Sequence, residues 1–351
     1  MTPSAPGSHL ASKLGLTDRV FAGPRSRRLL ATVDAGLERV DEQLRSELRV
    51  TDALADATSR YLYEAGGKRV RPMLALLTAQ LGKGTTDEVV QGATALEMTH
   101  LGSLYHDDVM DAADKRRGIP SAHAVWGNSI AILTGDLLFS RASQIMARHG
   151  DRAIRLQSDT FERLVLGQMH ETVGPQDGDD PVEFYLQVLS DKTGSLIAAA
   201  AQAGVIFSDA PEEYEEPIFV FGDKAGVAFQ LLDDVIDLSA DADETGKVPG
   251  TDLRAGVPTM PYLLLSQRED AASVDLRSRI DEGVARIADG ADPAILDDPL
   301  AALREHEATR ATLDLAHAWS REAIESLAPI PDGPVREALT RFAQAVADRS
   351  R

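Results

Sequence analysis

Leu101-Gly102-Ser103-Leu104-Tyr105-His106-Asp107-Asp108-Val109-Met110-Asp111 and Phe229-Gln230-Leu231-Leu232-Asp233-Asp234-Val235-Ile236-Asp237 decide how this chain reads. Each is an apolar, helix-like run closing on Asp-Asp-x-x-Asp. Asp is a poor helix former, and like charges four positions apart on a helix repel. Setting Asp107 with Asp111, and Asp233 with Asp237, on single helix faces is unfavourable without a cation to offset it. A hard divalent ion such as Mg²⁺ resolves the conflict. It takes one or two carboxylates and completes its shell with water and phosphate. Two solvated acidic faces would be the plainer explanation, but recurrence of the triplet in an apolar helical setting favours metal.

Working outward, the whole chain carries the same helical signature. It has 351 residues, 43% of them hydrophobic, with only 5% aromatics. An abundance of Ala and Leu with few aromatic residues points to helix rather than sheet. Helical periodicity runs from Ser26 to the end, over 28–47, 52–64, 72–82, 86–112, 126–148, 152–173, 181–206, 211–239, 257–267, 271–288, 297–327 and 333–349. No stretch shows strand alternation. The first 25 residues, rich in Pro, Gly and Ser, read as a tail, and 26–351 as one large helical domain. A C-terminal subdomain from about residue 270 is the alternative. Asp179 or Asp180 is a candidate N-cap for the helix after the acidic loop.

Charge and composition exclude several function classes. The formal charge of −20 argues against nucleic acid or an anionic membrane as partner. It also requires any phosphate site to bring its own local cations. Absence of cysteine rules out disulfides, thiolate catalysis and Cys-ligated zinc. No secretory signal is visible at Met1–Gly7, and the apolar run Leu196–Phe207, broken by Gln202, is too short to span a bilayer. A cytoplasmic protein is expected.

Local cations are present. Gly66-Gly67-Lys68-Arg69-Val70-Arg71-Pro72 packs three of them into a turn before a helix N-terminus, where backbone N–H groups also favour anions. It lacks the spacing of a Walker loop. His100 and Ser103 share a stripe with Asp107 and Asp111. Lys115-Arg116-Arg117-Gly118 follows the first triplet. Asp191-Lys192-Thr193-Gly194 puts a lysine and a hydroxyl beside a helix-weakening glycine, so a kink there would aim both groups into a cavity. Gln230 lies one turn before Asp233, and Lys247 follows the second triplet in a polar loop. Carboxylate pairs for metal together with cationic groups describe a site for two diphosphates, one bound through Mg²⁺. The chemistry that suits it is ionisation of an allylic diphosphate, followed by attack of a second substrate with water kept out.

From about residue 28 onward the chain resembles the trans-isoprenyl (polyprenyl) diphosphate synthases. The matching segments are Gly66–Pro72, His100–Gly118, Gly135-Asp136, Lys192-Thr193, Phe229–Asp237, Gly246-Lys247 and Gly250–Arg254. The resemblance implies an all-α isoprenoid synthase fold, a helical bundle around a central cavity, assembled as a homodimer. It implies head-to-tail condensation of isopentenyl diphosphate onto an allylic diphosphate, with about three Mg²⁺ ions per active site. By position, Lys68, Arg71, His100 and Arg117 would hold isopentenyl diphosphate. Asp107, Asp111 and Asp233 would bind Mg²⁺, with Asp108, Asp234 and Asp237 completing the catalytic carboxylates. Arg116, Lys192, Thr193, Gln230 and Lys247 would serve the allylic diphosphate. The released diphosphate would take the final proton.

One departure is plain: Val257 stands where many members carry a lysine. Gly102 and Ser103, the small residues five and four before Asp107, are the chain-length candidates. Short-chain members place an aromatic floor there, so an open tunnel and a product longer than geranylgeranyl are expected. A terpene cyclase would need no second diphosphate site, and a non-catalytic subunit would have lost one of the triplets.

Overall fold

A computed structural model describes residues 24–239 and 249–348. The expected tail, and Lys247 with Gly246, lie outside them. The described residues are almost entirely helical. In chain order the helices are α1 (Pro24–Glu47), α2 (Ala53–Glu64), α3 (Val70–Thr78), α4 (Asp87–Met110), α5 (Ala122–Trp126), α6 (Asn128–Met146), α7 (Asp151–Val173) and α8 (Pro181–Leu189). They continue with α9 (Ser195–Phe207), α10 (Glu215–Ser239), α11 (Thr251–Arg254), α12 (Met260–Ser266), α13 (Ala271–Ala288), α14 (Asp297–Glu305), α15 (Glu307–Ser326) and α16 (Pro334–Ala347).

Two compact units emerge. Unit one draws on the described parts of Met1–Val165, Ser195–Asp223 and Ser326–Phe342, and unit two on those of Leu166–Gly194, Lys224–Glu325 and Ala343–Arg351. The boundaries fall inside helices or at helix starts, not at a Pro/Gly-rich linker.

Local chemistry explains where the helices begin. Asp52 accepts the N–H groups of Leu54 and Ala55 at 3.1 and 2.9 Å, and Thr86 accepts that of Val89 at 3.2 Å. Of the two capping candidates in the acidic loop, Asp180 does the work, accepting from Val182 and Glu183. In unit one α4 is buried along most of its length and packs against α1, α3, α6 and α9. Leu96 and Leu101 lie in its core, and truncating either to Ala would cost about 2–5 kcal/mol. Small residues set the helix spacing. A Cβ on Gly204 of α9 would lie 2.1 Å from the Ala75 carbonyl of α3, and one on Gly102 of α4 3.1 Å from the Gly135 carbonyl of α6. Unit two has its own core, with Leu238, Leu253, Leu265, Ile280 and Leu300 at its centre.

The structure departs from the periodicity in several places, beginning with the short helices α5 and α11, which fall outside the expected ranges. Lys115–Arg116 and Ile119–Pro120 pair as a two-residue antiparallel ladder, against the expectation of no strand. Arg117 and Gly118 between them both have positive φ, 54° and 81°, as a tight hairpin turn demands. Elements this short leave no alternation to read. Next, 181–206 is not one helix, because Ser190–Gly194 forms a π turn between α8 and α9. Finally, 297–327 breaks at His306, whose extended backbone ends α14 and whose Nδ1 accepts the Ala308 N–H at 3.1 Å to start α15. No Gly or Pro marks that break.

Candidate active site

The functional side chains form two groups, one in each unit, and each is described by itself. In unit one the turn before α3 is built from left-handed residues, Gly66 (φ 93°) and Arg69 (φ 51°), with Gly67 at φ 155°. A Cβ on Gly67 would sit 2.9 Å from Arg69 Nη1 and 3.1 Å from Arg117 Nη2, so only glycine lets both guanidinium groups lie against the turn. Lys68 is exposed beside them. Arg117 Nη1 donates to the Leu62 carbonyl at 2.7 Å and to that of Gly66.

Arg71 Nε is buried and has no hydrogen-bond partner among the described residues. Burial pulls its guanidinium below the ordinary arginine range, Arg117 adds to the effect, and Glu97 opposes it. Arg117 is lowered likewise, by burial first. His100, on α4, is half-buried. Burial, then the charges of Arg71, Arg117, Arg116 and Arg69, hold its imidazole well below the usual value, so it is neutral at pH 7. Arg71, His100 and Arg117 are therefore one cluster, with Lys68 in the adjoining turn. A buried guanidinium nitrogen without a partner among the described residues suits an anionic ligand.

Seven residues on from His100 the first triplet divides by burial. Asp107 is half-buried and Asp111, at the C-cap of α4, is exposed. Asp108 is 0% exposed. Its Oδ1 accepts Arg116 Nε at 2.6 Å, and its Oδ2 is buried without a hydrogen bond among the described residues. Burial raises the Asp108 carboxyl, and Arg116 opposes that rise. Tyr105 points away from the stripe into the core, its hydroxyl bonded to the Thr58 carbonyl. Ser103 is buried and donates to the His100 carbonyl at 2.9 Å. Gly102 meets Phe139, which lies 3.0 Å from where its Cβ would be and packs on Phe161 with ring centroids 4.5 Å apart.

The second triplet, on α10 in unit two, divides the same way. Asp233 and Asp237 are half-buried, and Asp234 is 5% exposed. Asp234 Oδ2 accepts the Tyr185 hydroxyl at 3.0 Å and the Met260 N–H at 3.1 Å. Burial pushes its carboxyl up to about 8 against those two hydrogen bonds, and Asp252 and Asp233 push the same way. Asp237 accepts the Gly250 N–H on its carbonyl at 2.8 Å. The expected kink at Asp191–Gly194 is the π turn, a feature frequent at functional positions. It carries Lys192 and Thr193, both half-buried, and Lys192 Nζ is paired with Glu171 Oε2 of α7. Gln230 is half-buried one turn before Asp233. Val257 is 41% exposed, apolar where the resemblance expects a cation.

Among the described residues no group of three or more His, Cys, Asp or Glu side chains could hold a metal ion unaided. Each triplet instead offers two carboxylates with some solvent exposure and withdraws the middle one. That donor set fits a hard ion that leaves most of its shell to water and phosphate. Tyr185, Glu171 and Glu97 were not singled out in the sequence, and Arg69 was noted only as one of three cations in its turn. Their partners lie 20 or more residues away or on another element, with no local spacing to betray them.

A family model described as Polyprenyl synthetase matches residues 52–289. The chain is 41% identical over 335 residues to a nonaprenyl diphosphate synthase of Mycobacterium tuberculosis, covering 95% of this chain and 96% of that one. Its fold matches the crystal structure of a decaprenyl diphosphate synthase from Rhodobacter capsulatus with TM-score 0.81 at 32% identity, over 93% of this chain and 99% of that one. It also matches a geranylgeranyl pyrophosphate synthase from Corynebacterium glutamicum, complexed with calcium and isoprenyl diphosphate, with TM-score 0.81 at 36% identity, over 94% and 99% of the two chains.

Proposed function

Because this chain belongs to the polyprenyl synthetase family, we propose that it condenses isopentenyl diphosphate head-to-tail onto an allylic diphosphate and makes a trans-polyprenyl diphosphate longer than geranylgeranyl. The observation that carries this reading is the cluster of Arg71, His100 and Arg117. It contains a buried guanidinium nitrogen without a partner among the described residues, and its His100 stands seven residues before Asp107 on the same helix.

In this reading Lys68, Arg71 and Arg117 hold the isopentenyl diphosphate, and the neutral imidazole of His100 donates a hydrogen bond to it. Asp107, Asp111 and Asp233 take Mg²⁺, about three ions per site, and Asp237 supports them. Bound Mg²⁺ supplies the neutralising charge that lets a diphosphate depart. Arg116, Lys192, Thr193 and Gln230, with Lys247, orient the allylic diphosphate, and Glu171 keeps Lys192 in place. Arg116 is itself anchored through Nε by Asp108, so the buried aspartate acts by holding a substrate-facing cation. Ser103, four residues before Asp107, sets no aromatic floor there, which supports a long product, whereas Gly102 packs against Phe139 and the α6 backbone and opens no space of its own. The identity to a nonaprenyl synthase supports that length.

The enzyme acts as a homodimer in the cytoplasm. Exposed Ile132 and Leu133 on α6 and Ile154 on α7 support the dimer as apolar surface needing cover. No helix among the described residues is long and apolar enough to cross a membrane. The test is incubation with labelled isopentenyl diphosphate, farnesyl diphosphate and Mg²⁺, with chromatography of the dephosphorylated products. Labelled alcohols longer than C20 are expected. A cyclic hydrocarbon, or no incorporation, would defeat the proposal.

A further inference from the structure

Arg69 and Arg71 are two positions apart in one turn, yet they meet opposite surroundings. Arg71 keeps a buried nitrogen without a partner among the described residues. Arg69 is anchored on three sides: Nη1 donates to Glu97 Oε1 at 3.0 Å, Nε lies 3.4 Å from Asp41 Oδ1, and the guanidinium stacks 5.0 Å from the Tyr63 ring centroid. Tyr63 in turn donates its hydroxyl to Asp41 Oδ2 at 3.1 Å. The Arg69 and Glu97 side chains are 9% and 3% exposed. Arg69 therefore faces the protein interior, with its charge answered there.

Its backbone is held in the left-handed region, φ 51° and ψ 35°, immediately before α3. A side-chain-bearing residue adopts that conformation only where its surroundings over-determine it. The side-chain anchor supplies that hold. Glu97 stands on α4 three positions before His100, so the same ion pair ties the turn bearing Lys68 and Arg71 to the helix bearing His100.

We infer that Arg69, clamped by Glu97, Asp41 and Tyr63, is a positioning residue that sets the Gly66–Pro72 turn in register with His100 for the isopentenyl diphosphate. The inference rests on the substrate assignment proposed above. It predicts a defect confined to one substrate, because the residues assigned to the allylic diphosphate have no part in the clamp.

Removing one member alone would strand a buried charge, whereas neutral replacement of both is commonly tolerated. The decisive variant is thus R69Q/E97Q, assayed in the full chain with labelled isopentenyl diphosphate, farnesyl diphosphate and Mg²⁺. We expect a thermal melt close to wild type and a KM for isopentenyl diphosphate raised about tenfold. KM for farnesyl diphosphate should stay within about twofold and kcat at saturation within about threefold. R69K, which keeps the charge but not the two-sided fork, should give an intermediate KM for isopentenyl diphosphate. An unchanged KM for isopentenyl diphosphate in either folded variant overturns the inference, as does an equal rise in both KM values. A wild-type protein that incorporates no isopentenyl diphosphate defeats the functional assignment instead, which separates the two failures.

Discussion

The two Asp-Asp-x-x-Asp motifs share a spelling and solve the same burial problem by different chemistry. In both, the first and third carboxylates keep some exposure and the middle one is withdrawn. Asp108 is withdrawn as an ion, paired with Arg116 at 2.6 Å. Asp234 is withdrawn among neutral donors, the Tyr185 hydroxyl and the Met260 N–H, and burial lifts its carboxyl to about 8. The outer pair of a repeated motif is thus set by helix geometry. The inner residue takes whatever partner the surrounding fold supplies.

Four measurements sharpen or break this comparison. If the outer carboxylates are equivalent, D107A and D233A should each cut turnover by about a thousandfold or more, the scale of losing metal-assisted charge stabilisation. Near-normal rates in one variant would show that the motifs are not functionally paired.

The inner residues should differ in their response to pH. In chelator-treated, metal-free protein burial holds the folded-state Asp234 carboxyl up at about 8, while in the unfolded chain it titrates near the ordinary aspartate value of about 3.8. Between those values the native state retains a proton that the unfolded state has lost. Stability therefore falls as pH rises through this window and levels off above it, by up to a few kcal/mol. Denaturant midpoints of wild type and D234N across pH 5–9 test this, and the D234N profile should be flatter. The Asp108 carboxyl, opposed by Arg116, should contribute a weaker slope.

At fixed pH 7 the order of the inner residues reverses under amide substitution. D108N leaves Arg116 without its counter-ion and should lose about 2 kcal/mol, discounted for the partial exposure of that arginine. D234N keeps an acceptor for Tyr185 and Met260 and should lose less than about 1 kcal/mol. Thermal melts giving equal losses would contradict the ion-versus-neutral distinction. Smallest in energy is the step below each motif. Ser103 stands four residues before Asp107 where Phe229 stands four before Asp233. Making the first resemble the second with S103F should shorten the product chain, read by chromatography, with turnover of short intermediates retained.

Much of the molecule was legible because its signals are local. Helical periodicity located α13 to the residue at 271–288, and capping chemistry narrowed the cap of α8 to Asp179 or Asp180, of which the structure uses Asp180. The misplaced or unseen features depend on partners distant in sequence or on elements too short to carry a period. Those features are the Lys115–Pro120 hairpin and the His306 break. In the site, the carboxylate pairs and the basic turn were visible as spacing. The roles of Glu97, Glu171 and Tyr185 were not, since a lone Glu or Tyr in a helix looks alike whether it faces solvent or an arginine.

From sequence alone follow the helical class, the placement of Asp107 with Asp111 and of Asp233 with Asp237 on shared faces, and the anion-seeking turn at Gly66–Pro72. These depend on periods of three to four residues and on backbone geometry, which travel with the chain itself. Tertiary structure decided which charges are offered and which are withdrawn. Arg71 is left wanting while Arg69 is bound, and Asp108 and Asp234 are buried on unlike partners. Such choices depend on what lies across the helix interface, and a desolvated charge is tolerated only where that neighbour answers it.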